Sequence, residues 1–82
     1  MYNVVFTQRA VRDLGDIDKE TQNRIAMKLK EYAKEPLKYA RKLSDPKTGT
    51  YRFRIGDFRV IFDIDDENIV ILRIGHRRSI YK

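Results

Sequence analysis

Two segments of alternating residue type, separated by Gly56-Asp57, constrain the fold of this chain more than any other feature. Residues 51–55 read Tyr-Arg-Phe-Arg-Ile, and residues 58–64 read Phe-Arg-Val-Ile-Phe-Asp-Ile. Because successive side chains of a strand point to opposite faces, each segment predicts a strand with one hydrophobic face and one face that carries arginines. The predicted hydrophobic face consists of Tyr51, Phe53, Ile55, Phe58, Val60, Phe62 and Ile64.

The two residues between the segments predict how these strands pair. A two-residue loop with Gly first is typical of a type II′ hairpin turn, which would pair Ile55 with Phe58. The same register places Arg54 directly opposite Arg59. Since like charges directly across a strand pair are destabilising, we expect an anion to lie between the two arginines.

A third strand is predicted at residues 69–75, after the acidic turn at residues 65–68. The length of that turn decides which side chains join which face, because a shift of one residue exchanges the faces. We predict a three-residue loop, residues 66–68, since the other register would bury Arg73 and expose large apolar side chains at roughly 1.5–3 kcal/mol each. The hydrophobic face then gains Val70, Leu72 and Ile74, and the arginine face gains Arg73 and Arg77.

Antiparallel pairing gives the predicted sheet two chemically different ends. The acidic turn marks one end, and the hairpin at Gly56-Asp57 marks the other, where the third of these strands also finishes. The residues that this topology gathers at the hairpin end are Arg54, Arg59, His76, Arg77 and Tyr81.

The first residues of the chain predict a strand followed by a short helix. Residues 2–7 alternate as a strand does, and Thr7 or Gln8 opens the helix. Gly15 ends it, because glycine is favoured just past a helix C-terminus.

A longer helix follows, with Asp18 as its N-cap and Pro36 as its stop. Its apolar stripe has helical spacing and consists of Ile25, Leu29, Tyr32 and Ala33. A turn-rich connector, residues 35–50, leads to the sheet. The fold prediction is a single α+β domain over residues 1–82 with the order β-α-α-β-β-β, in which a mainly antiparallel sheet packs on two helices.

Composition narrows the classes of function. The chain carries 18 Lys and Arg against 12 Asp and Glu, a net charge of +6 that favours nucleic acid or an acidic protein as partner. It has no cysteine for thiolate chemistry and a single histidine, and the carboxylates at residues 63–67 lack calcium-loop spacing. We therefore expect no metal and no cofactor. No apolar run is long enough for a membrane span, which predicts a cytoplasmic protein without a membrane partner.

The ordered series of basic and aromatic residues resembles the RelE branch of the RelE/ParE toxin superfamily. The resemblance covers nearly the whole chain and rests on residues 7–14 before a second helix, on residues 51–62, and on Gly-His-Arg-Arg-Ser-Ile-Tyr at residues 75–81. It implies a RelE-like fold and the toxin of a type II toxin–antitoxin system. The implied activity is that of a metal-independent endoribonuclease, or mRNA interferase, that cuts mRNA in the ribosomal A site and inhibits translation.

The same resemblance implies a set of partners. These are mRNA on the ribosome, ribosomal RNA, and a co-encoded acidic antitoxin that neutralises the toxin. Promoter DNA would be bound only through the antitoxin.

The resemblance also implies roles for the residues that match the motif. Family members attack the scissile phosphate with the adjacent ribose 2′-hydroxyl. Arg59 and Arg77 match arginines that clamp this phosphate, for which a forked and permanently charged guanidinium is suited. Tyr81 matches a tail tyrosine that could orient the 2′-hydroxyl or stack on a base.

The identity of the general base departs from the family pattern. Arg52 and Arg54 stand where some members carry lysines, one of them proposed as the base. Arginine does not deprotonate at usable pH, so Arg52 is a poor base. His76 is the expected substitute in acid–base chemistry.

Further residues are expected at the periphery of this site. Arg73, Arg78 and Lys82 are predicted to bind RNA. Ile61, Ile69 and Ile71 share the arginine face in the predicted register, where either the connector covers them or they form an antitoxin-docking patch.

Two other functions are open to the same residues. A ParE-like toxin, which poisons DNA gyrase and is not a nuclease, would share the fold, although Tyr81 together with Arg54 argues against it. A non-catalytic nucleic-acid-binding module would use the arginines only to hold phosphates.

Overall fold

A computed structural model describes residues 2–44 and 49–80, which form one five-stranded sheet with helices. The elements are β1 (Asn3–Phe6), α1 (Gln8–Gly15), α2 (Lys19–Tyr32), α3 (Pro36–Tyr39), β2 (Arg41–Lys42), β3 (Tyr51–Ile55), β4 (Phe58–Asp65) and β5 (Asn68–His76). The strand order is β1-β5-β4-β3-β2, with β1 parallel to β5 and the other pairs antiparallel. In the described part of the chain, no helix has the length and apolar character needed to cross a membrane.

The predicted α+β class is confirmed, but the element order was incomplete. The connector contributes a four-residue helix, α3, and a two-residue strand, β2, that the order β-α-α-β-β-β lacks. Strand β2 consists of only two residues, both charged, so the sequence shows no alternation from which this strand could be predicted. Pro36 does not stop the long helix, which ends at Tyr32. It begins α3 instead, at a position where proline has no hydrogen bond to lose.

Both predicted helix starts are confirmed by their capping hydrogen bonds. The Thr7 hydroxyl accepts the N–H of Ala10 at 3.1 Å and donates to the carbonyl of Ile71 at 2.9 Å, so it fastens α1 to β5 as well as capping it. The Asp18 carboxylate accepts the N–H of Thr21 at 3.1 Å. Each cap satisfies one of the N–H groups that a helix start leaves without a partner.

The predicted β3–β4 hairpin is confirmed. Ile55 pairs with Phe58, and Arg54 lies opposite Arg59. Gly56 has φ of +58°, in the left-handed region that the first position of a type II′ turn requires and that glycine adopts without strain.

The predicted β4–β5 register is wrong over its first half. Asp65 pairs with Asn68, so the turn has two residues and the adjacent pair is Ile64 with Ile69. Ile69 and Ile71, which were expected on the arginine face, are in the core, and Val70 and Leu72, which were expected in the core, are not.

A bulge restores the predicted faces in the second half of β5. Phe62 pairs with Ile71 but Ile61 pairs with Arg73, which leaves Leu72 as the extra residue. Beyond the bulge Ile74 is buried, as predicted. No single register fits both halves of the β4–β5 pair. The sequence prediction compared only two registers that were each uniform along the strand, so neither could be right throughout.

The core lies between the hydrophobic face of the sheet and the predicted stripe of α2. Its largest fully buried side chains include Phe53 and Phe62, whose ring centroids lie 4.2 Å apart, and Ile25 of α2. On the opposite face of the sheet, Ile61 is also fully buried. Gly49 packs so closely on Ile61 that an added Cβ would collide with it, which confirms that the connector covers this side chain.

Helix α1 packs against the part of β5 that extends beyond the end of β1. One carboxylate oxygen of Asp13 accepts hydrogen bonds from Arg73 Nε at 2.8 Å and from the N–H of Ile74 at 3.0 Å. Partial burial would raise the pKa of the Asp13 carboxyl, but these two hydrogen bonds and the charges of Arg73 and Arg9 outweigh burial and lower it.

We predict that Asp13→Asn lowers the free energy of unfolding by roughly 2 kcal/mol at neutral pH, because Arg73 and Ile74 lose a charged acceptor. The folded pKa of Asp13 lies below the ordinary value of 3.8, so the carboxylate stabilises the fold above that pH. This contribution is lost as the pH falls through the folded pKa. Urea unfolding from pH 7 to pH 2 should therefore show the gap between wild type and Asp13→Asn closing in acid.

The matched control is Glu67→Gln, which removes an exposed carboxylate at the β4–β5 turn. It should leave stability within about 0.5 kcal/mol of wild type. A gap between wild type and Asp13→Asn that stayed constant down to pH 2 would contradict the role assigned to the carboxylate.

Candidate active site

The β3–β4 turn meets the end of β5 at one end of the sheet. We call this region, residues 56–58 with His76 and Arg77, the hairpin end. The N–H of Arg77 donates to the carbonyl of Asp57 at 2.8 Å, and its Nε lies 3.8 Å from Asp57 Oδ1. Both side chains are more than half exposed, so the ion pair is weak and the guanidinium is accessible to an incoming anion.

His76 is placed by the last pair of the β4–β5 ladder and by a tight turn after it. It lies opposite Phe58, and the two rings meet edge to face with centroids 5.6 Å apart. The His76 carbonyl accepts the N–H groups of Ser79 and Ile80, each at 3.0 Å. The ring is thus held at the surface by packing on one side and by the turn that follows it.

The hydrogen bond at His76 Nδ1 bears on the chemistry of the ring. Nδ1 accepts the N–H of Arg78 at 3.2 Å. A ring nitrogen that accepts cannot carry the hydrogen, so the neutral imidazole held in this way carries it on Nε2. His76 therefore presents an N–H donor to solvent, and a base role at Nε2 would require it to give up the bond from Arg78.

Arg59 occupies the predicted face but not the predicted environment. It lies opposite Arg54, yet the residue is only 5% exposed, whereas a phosphate clamp was expected on an open face. Its Nη1 donates to the carbonyls of Gly56 at 3.0 Å and Phe58 at 2.9 Å. These bonds hold the guanidinium against the β3–β4 turn. We therefore expect replacement of Arg59 to disturb the structure of this turn.

Arg54 lies opposite Arg59 beside the hairpin end, and Arg52 lies two residues further along β3, away from that end. Arg54 is exposed and Arg52 is half-buried. Together with Tyr39 and Arg41 they line a cleft of about 200 Å³. The cleft itself could not be predicted from the sequence, because the positions of Tyr39 and Arg41 in the fold depend on α3 and β2.

Arg24 lies close to the hairpin end although the sequence does not predict this. It belongs to α2, yet its Nη1 would lie 3.5 Å from a Cβ built on Gly56. The spacing of α2 marks its charged face only as exposed, so nothing in the sequence indicates this approach to the hairpin end.

The remaining predicted residues are distributed differently. Arg73 is held by Asp13 and is therefore not part of the hairpin end. Arg78 is exposed beside His76. Tyr81 and Lys82 lie outside the described residues. The residues that the structure gathers near the hairpin end, as predicted from topology, are Arg54, Arg59, His76 and Arg77.

The described residues hold no group of three or more histidines and carboxylates close enough to bind a metal ion. What the hairpin end offers is cationic and neutral hydrogen-bond donors, from Arg77 and His76 in particular. Such donors can bind a phosphate and stabilise charge that develops on it.

Comparison with known proteins gives this arrangement a context. The family described as "ParE toxin of type II toxin-antitoxin system, parDE" matches residues 4–81. Toxin RelG of Mycobacterium tuberculosis is 38% identical over 88 residues, covering 99% of this chain and 97% of that protein.

Two solved structures extend the comparison to the fold. The toxin–antitoxin complex RelBE2 of M. tuberculosis contains a chain with 33% identity and a TM-score of 0.84, covering 93% of this chain and 98% of the other. The archaeal RelE–RelB complex of Pyrococcus horikoshii OT3 gives 28% identity and a TM-score of 0.75, with 95% and 97% coverage. The RelE-like fold expected from the sequence is confirmed.

Proposed function

The chain belongs to the ParE toxin family of type II toxin–antitoxin systems, and from that premise we propose that it is a ribosome-dependent mRNA endoribonuclease of the RelE type. The observation that carries this proposal is the hairpin end. There an accessible guanidinium and an imidazole N–H stand on adjacent residues, Arg77 and His76, on a turn fixed by backbone hydrogen bonds. This is the set of donors that a phosphate under attack requires.

In the proposed reaction the ribose 2′-oxygen attacks the adjacent phosphorus and the 5′-oxygen leaves. The 2′-hydroxyl loses its proton, the leaving oxygen gains one, and the phosphate becomes a 2′,3′-cyclic ester. Negative charge accumulates on the non-bridging oxygens as the pentavalent phosphorane forms. Arg77 binds these oxygens through its forked donors, and its weak pair with Asp57 is displaced at little cost.

His76 contributes a hydrogen bond from Nε2–H to the same phosphate or to an oxygen that leaves or attacks. The bond from the Arg78 N–H to Nδ1 favours the tautomer that donates in this direction, by about 1 kcal/mol for an ordinary hydrogen bond. In this proposal His76 is a donor to the transition state and solvent exchanges the protons.

Arg59 acts as a positioning residue. Its guanidinium fixes the two carbonyls on either side of Asp57, and Asp57 in turn holds the backbone of Arg77. Arg59 thereby positions Arg77, and Arg59 itself does not contact the phosphate.

The other basic residues bind the RNA chain in this proposal. Arg52, Arg54 and Arg78 contact backbone phosphates, as does Lys82, and Tyr81 orients the 2′-hydroxyl or stacks on a base. Arg73 is left out, because its guanidinium is held by Asp13.

The partners follow from the family. The solved complexes named above pair RelE-type toxins with antitoxins. We propose that a co-encoded acidic antitoxin complements the net charge of +6 and neutralises this toxin in the cytoplasm. The proposal also includes contacts with ribosomal RNA and promoter binding through the antitoxin alone.

Inhibition of DNA gyrase is a second candidate, favoured by the ParE description of the family that matches the chain. The exposed cations would then bind a protein or DNA and perform no chemistry. A supercoiling assay with purified gyrase separates this activity from RNA cleavage.

Arg77→Ala should lower mRNA cleavage at least a hundredfold, since one donor to a developing oxyanion is worth about 10²–10³ in rate. Primer extension on mRNA during translation measures the cut sites and their rate. The matched control is Arg12→Ala, which removes an exposed arginine on α1 and should cut at the wild-type rate. Wild-type protein that inhibits supercoiling and leaves translated mRNA intact would overturn the proposal in favour of the second candidate.

His76→Gln should retain cleavage within about tenfold of wild type, whereas His76→Ala should lose more. The Gln side chain can place an N–H near the position of Nε2, but it cannot accept and return a proton. Single-turnover cleavage on ribosomes measures both variants. Equal losses of 10²–10⁴ for Gln and Ala, the usual size of general acid–base catalysis, would show that the ring transfers a proton.

A further inference from the structure

The turn that follows β5 folds back onto the sheet through the side chain of Ile80. This side chain lies over Gly75, whose cross-strand partner is Arg59. The Cβ, Cγ1 and Cδ1 atoms of Ile80 lie 3.3, 3.4 and 3.4 Å from the point that a Cβ on Gly75 would occupy. Ile80 therefore fills the space of the side chain that residue 75 lacks.

Ile80 is buried outside the core between the sheet and α2. It is only 5% exposed, yet it does not belong to the cluster of buried residues that forms this core. Directly paired residues share a face of the sheet, so Ile80 lies on the face that carries Arg59. Its burial therefore fastens the turn to the sheet and adds nothing to the packing of α2.

The close approach of Ile80 accounts for the glycine at position 75. Glycine inside a strand weakens the strand and often marks a place where another group comes close. The backbone does not require glycine here, because Gly75 has a negative φ that any residue can adopt. A Cβ at this position would force Ile80 to move by a few tenths of an ångström.

The fastened turn carries the donors of the hairpin end. Residues 76–79 lie between Gly75 and Ile80, and the N–H of Ile80 donates to the carbonyl of His76 at 3.0 Å. Within the turn the N–H of Arg78 donates to His76 Nδ1 at 3.2 Å. The contact between Gly75 and Ile80 thus joins the two ends of the segment that presents His76 and Arg77.

We propose that Ile80 is a positioning residue of the candidate active site. By packing on Gly75 it fixes the turn, and the turn holds the His76 ring in the tautomer that donates from Nε2 and sets the direction of Arg77. Ile80 has no donor and is almost fully buried, so it acts through these two residues and does not bind RNA. The proposal rests on the ribonuclease function proposed above.

The ring of His76 reports on the turn without any RNA, because it is the only histidine in the chain. Nitrogen-15 NMR of the free protein at about pH 9, where an imidazole is neutral, measures the ratio of the Nδ1–H and Nε2–H tautomers. Wild type should hold more of the Nε2–H form than a short unstructured histidine peptide. Ile80→Ala, which removes Cγ1 and Cδ1 from above Gly75, should move the ratio towards that of the peptide.

The rate of mRNA cleavage on ribosomes is the second readout. Ile80→Ala should cut at least tenfold more slowly, since a misplacement of about 1 Å can cost about 10²-fold in rate. Ile80→Val keeps a branched side chain over Gly75, so it should retain the tautomer ratio and a rate within about threefold of wild type. Gly75→Val suits a strand but takes the space of Ile80, so it should lose both while the protein stays folded.

The matched control is Ile64→Ala, which removes the same atoms from a half-buried isoleucine next to the acidic turn, at the other end of the sheet. It should lower the melting temperature and leave the tautomer ratio and the cleavage rate as in wild type. Melting curves establish which variants are folded, and if Ile80→Ala is not, Gly75→Val decides.

Four results would overturn the assignment. They are a wild-type ratio equal to that of the peptide, a folded Ile80→Ala or Gly75→Val that keeps the wild-type ratio or rate, an Ile80→Val that loses as much as Ile80→Ala, and an Ile64→Ala that loses the ratio as well.

The outcome is separable from that of the ribonuclease proposal. A tautomer ratio that depends on Ile80 in a protein that cuts no mRNA would contradict the ribonuclease function and leave the anchoring of the turn in place. Cleavage by wild type and by a folded Ile80→Ala at equal rates would do the reverse.

Discussion

The guanidinium of Arg59 is buried, although its cross-strand partner Arg54 on the same face of the sheet is exposed. A buried guanidinium cannot lose its charge, so its donors must find acceptors inside the protein. Two of the acceptors are the carbonyls of Gly56 and Phe58, on either side of Asp57. Asp57 accepts the N–H of Arg77, so the electrostatic requirement of one side chain fixes the turn that supports the candidate active site.

The two faces of the sheet differ in chemistry, since one belongs to the core and the other carries arginines. One face packs its aromatic and aliphatic side chains on α2, and the other carries the arginines of β2 and β3 together with Ile61, which Gly49 of the connector covers. Arginines that are close together and without carboxylate partners cost stability, and that cost is offset when a polyanion binds.

The hairpin could be predicted because local rules decide it. Gly56-Asp57 specifies the turn, the alternation of residue types specifies the faces, and Thr7 and Asp18 specify helix starts. The β4–β5 register could not be predicted, because both registers bury large side chains. The bulge at Leu72 lets the first half of β5 follow one register and the second half follow the other. Burial of Arg59 and the approach of Arg24 depend on tertiary packing, which residue spacing does not encode.

The central claim is that Arg59 positions Arg77 through the turn, and amide hydrogen exchange in Arg59→Met measures it most directly. Methionine keeps an unbranched apolar stem but has no donor for the two carbonyls. The account predicts that the Arg77 amide, which donates to Asp57, exchanges at least tenfold faster relative to the Thr7 amide, which donates to Ile71 far from the turn. Equal acceleration of both amides, or of neither, would contradict it.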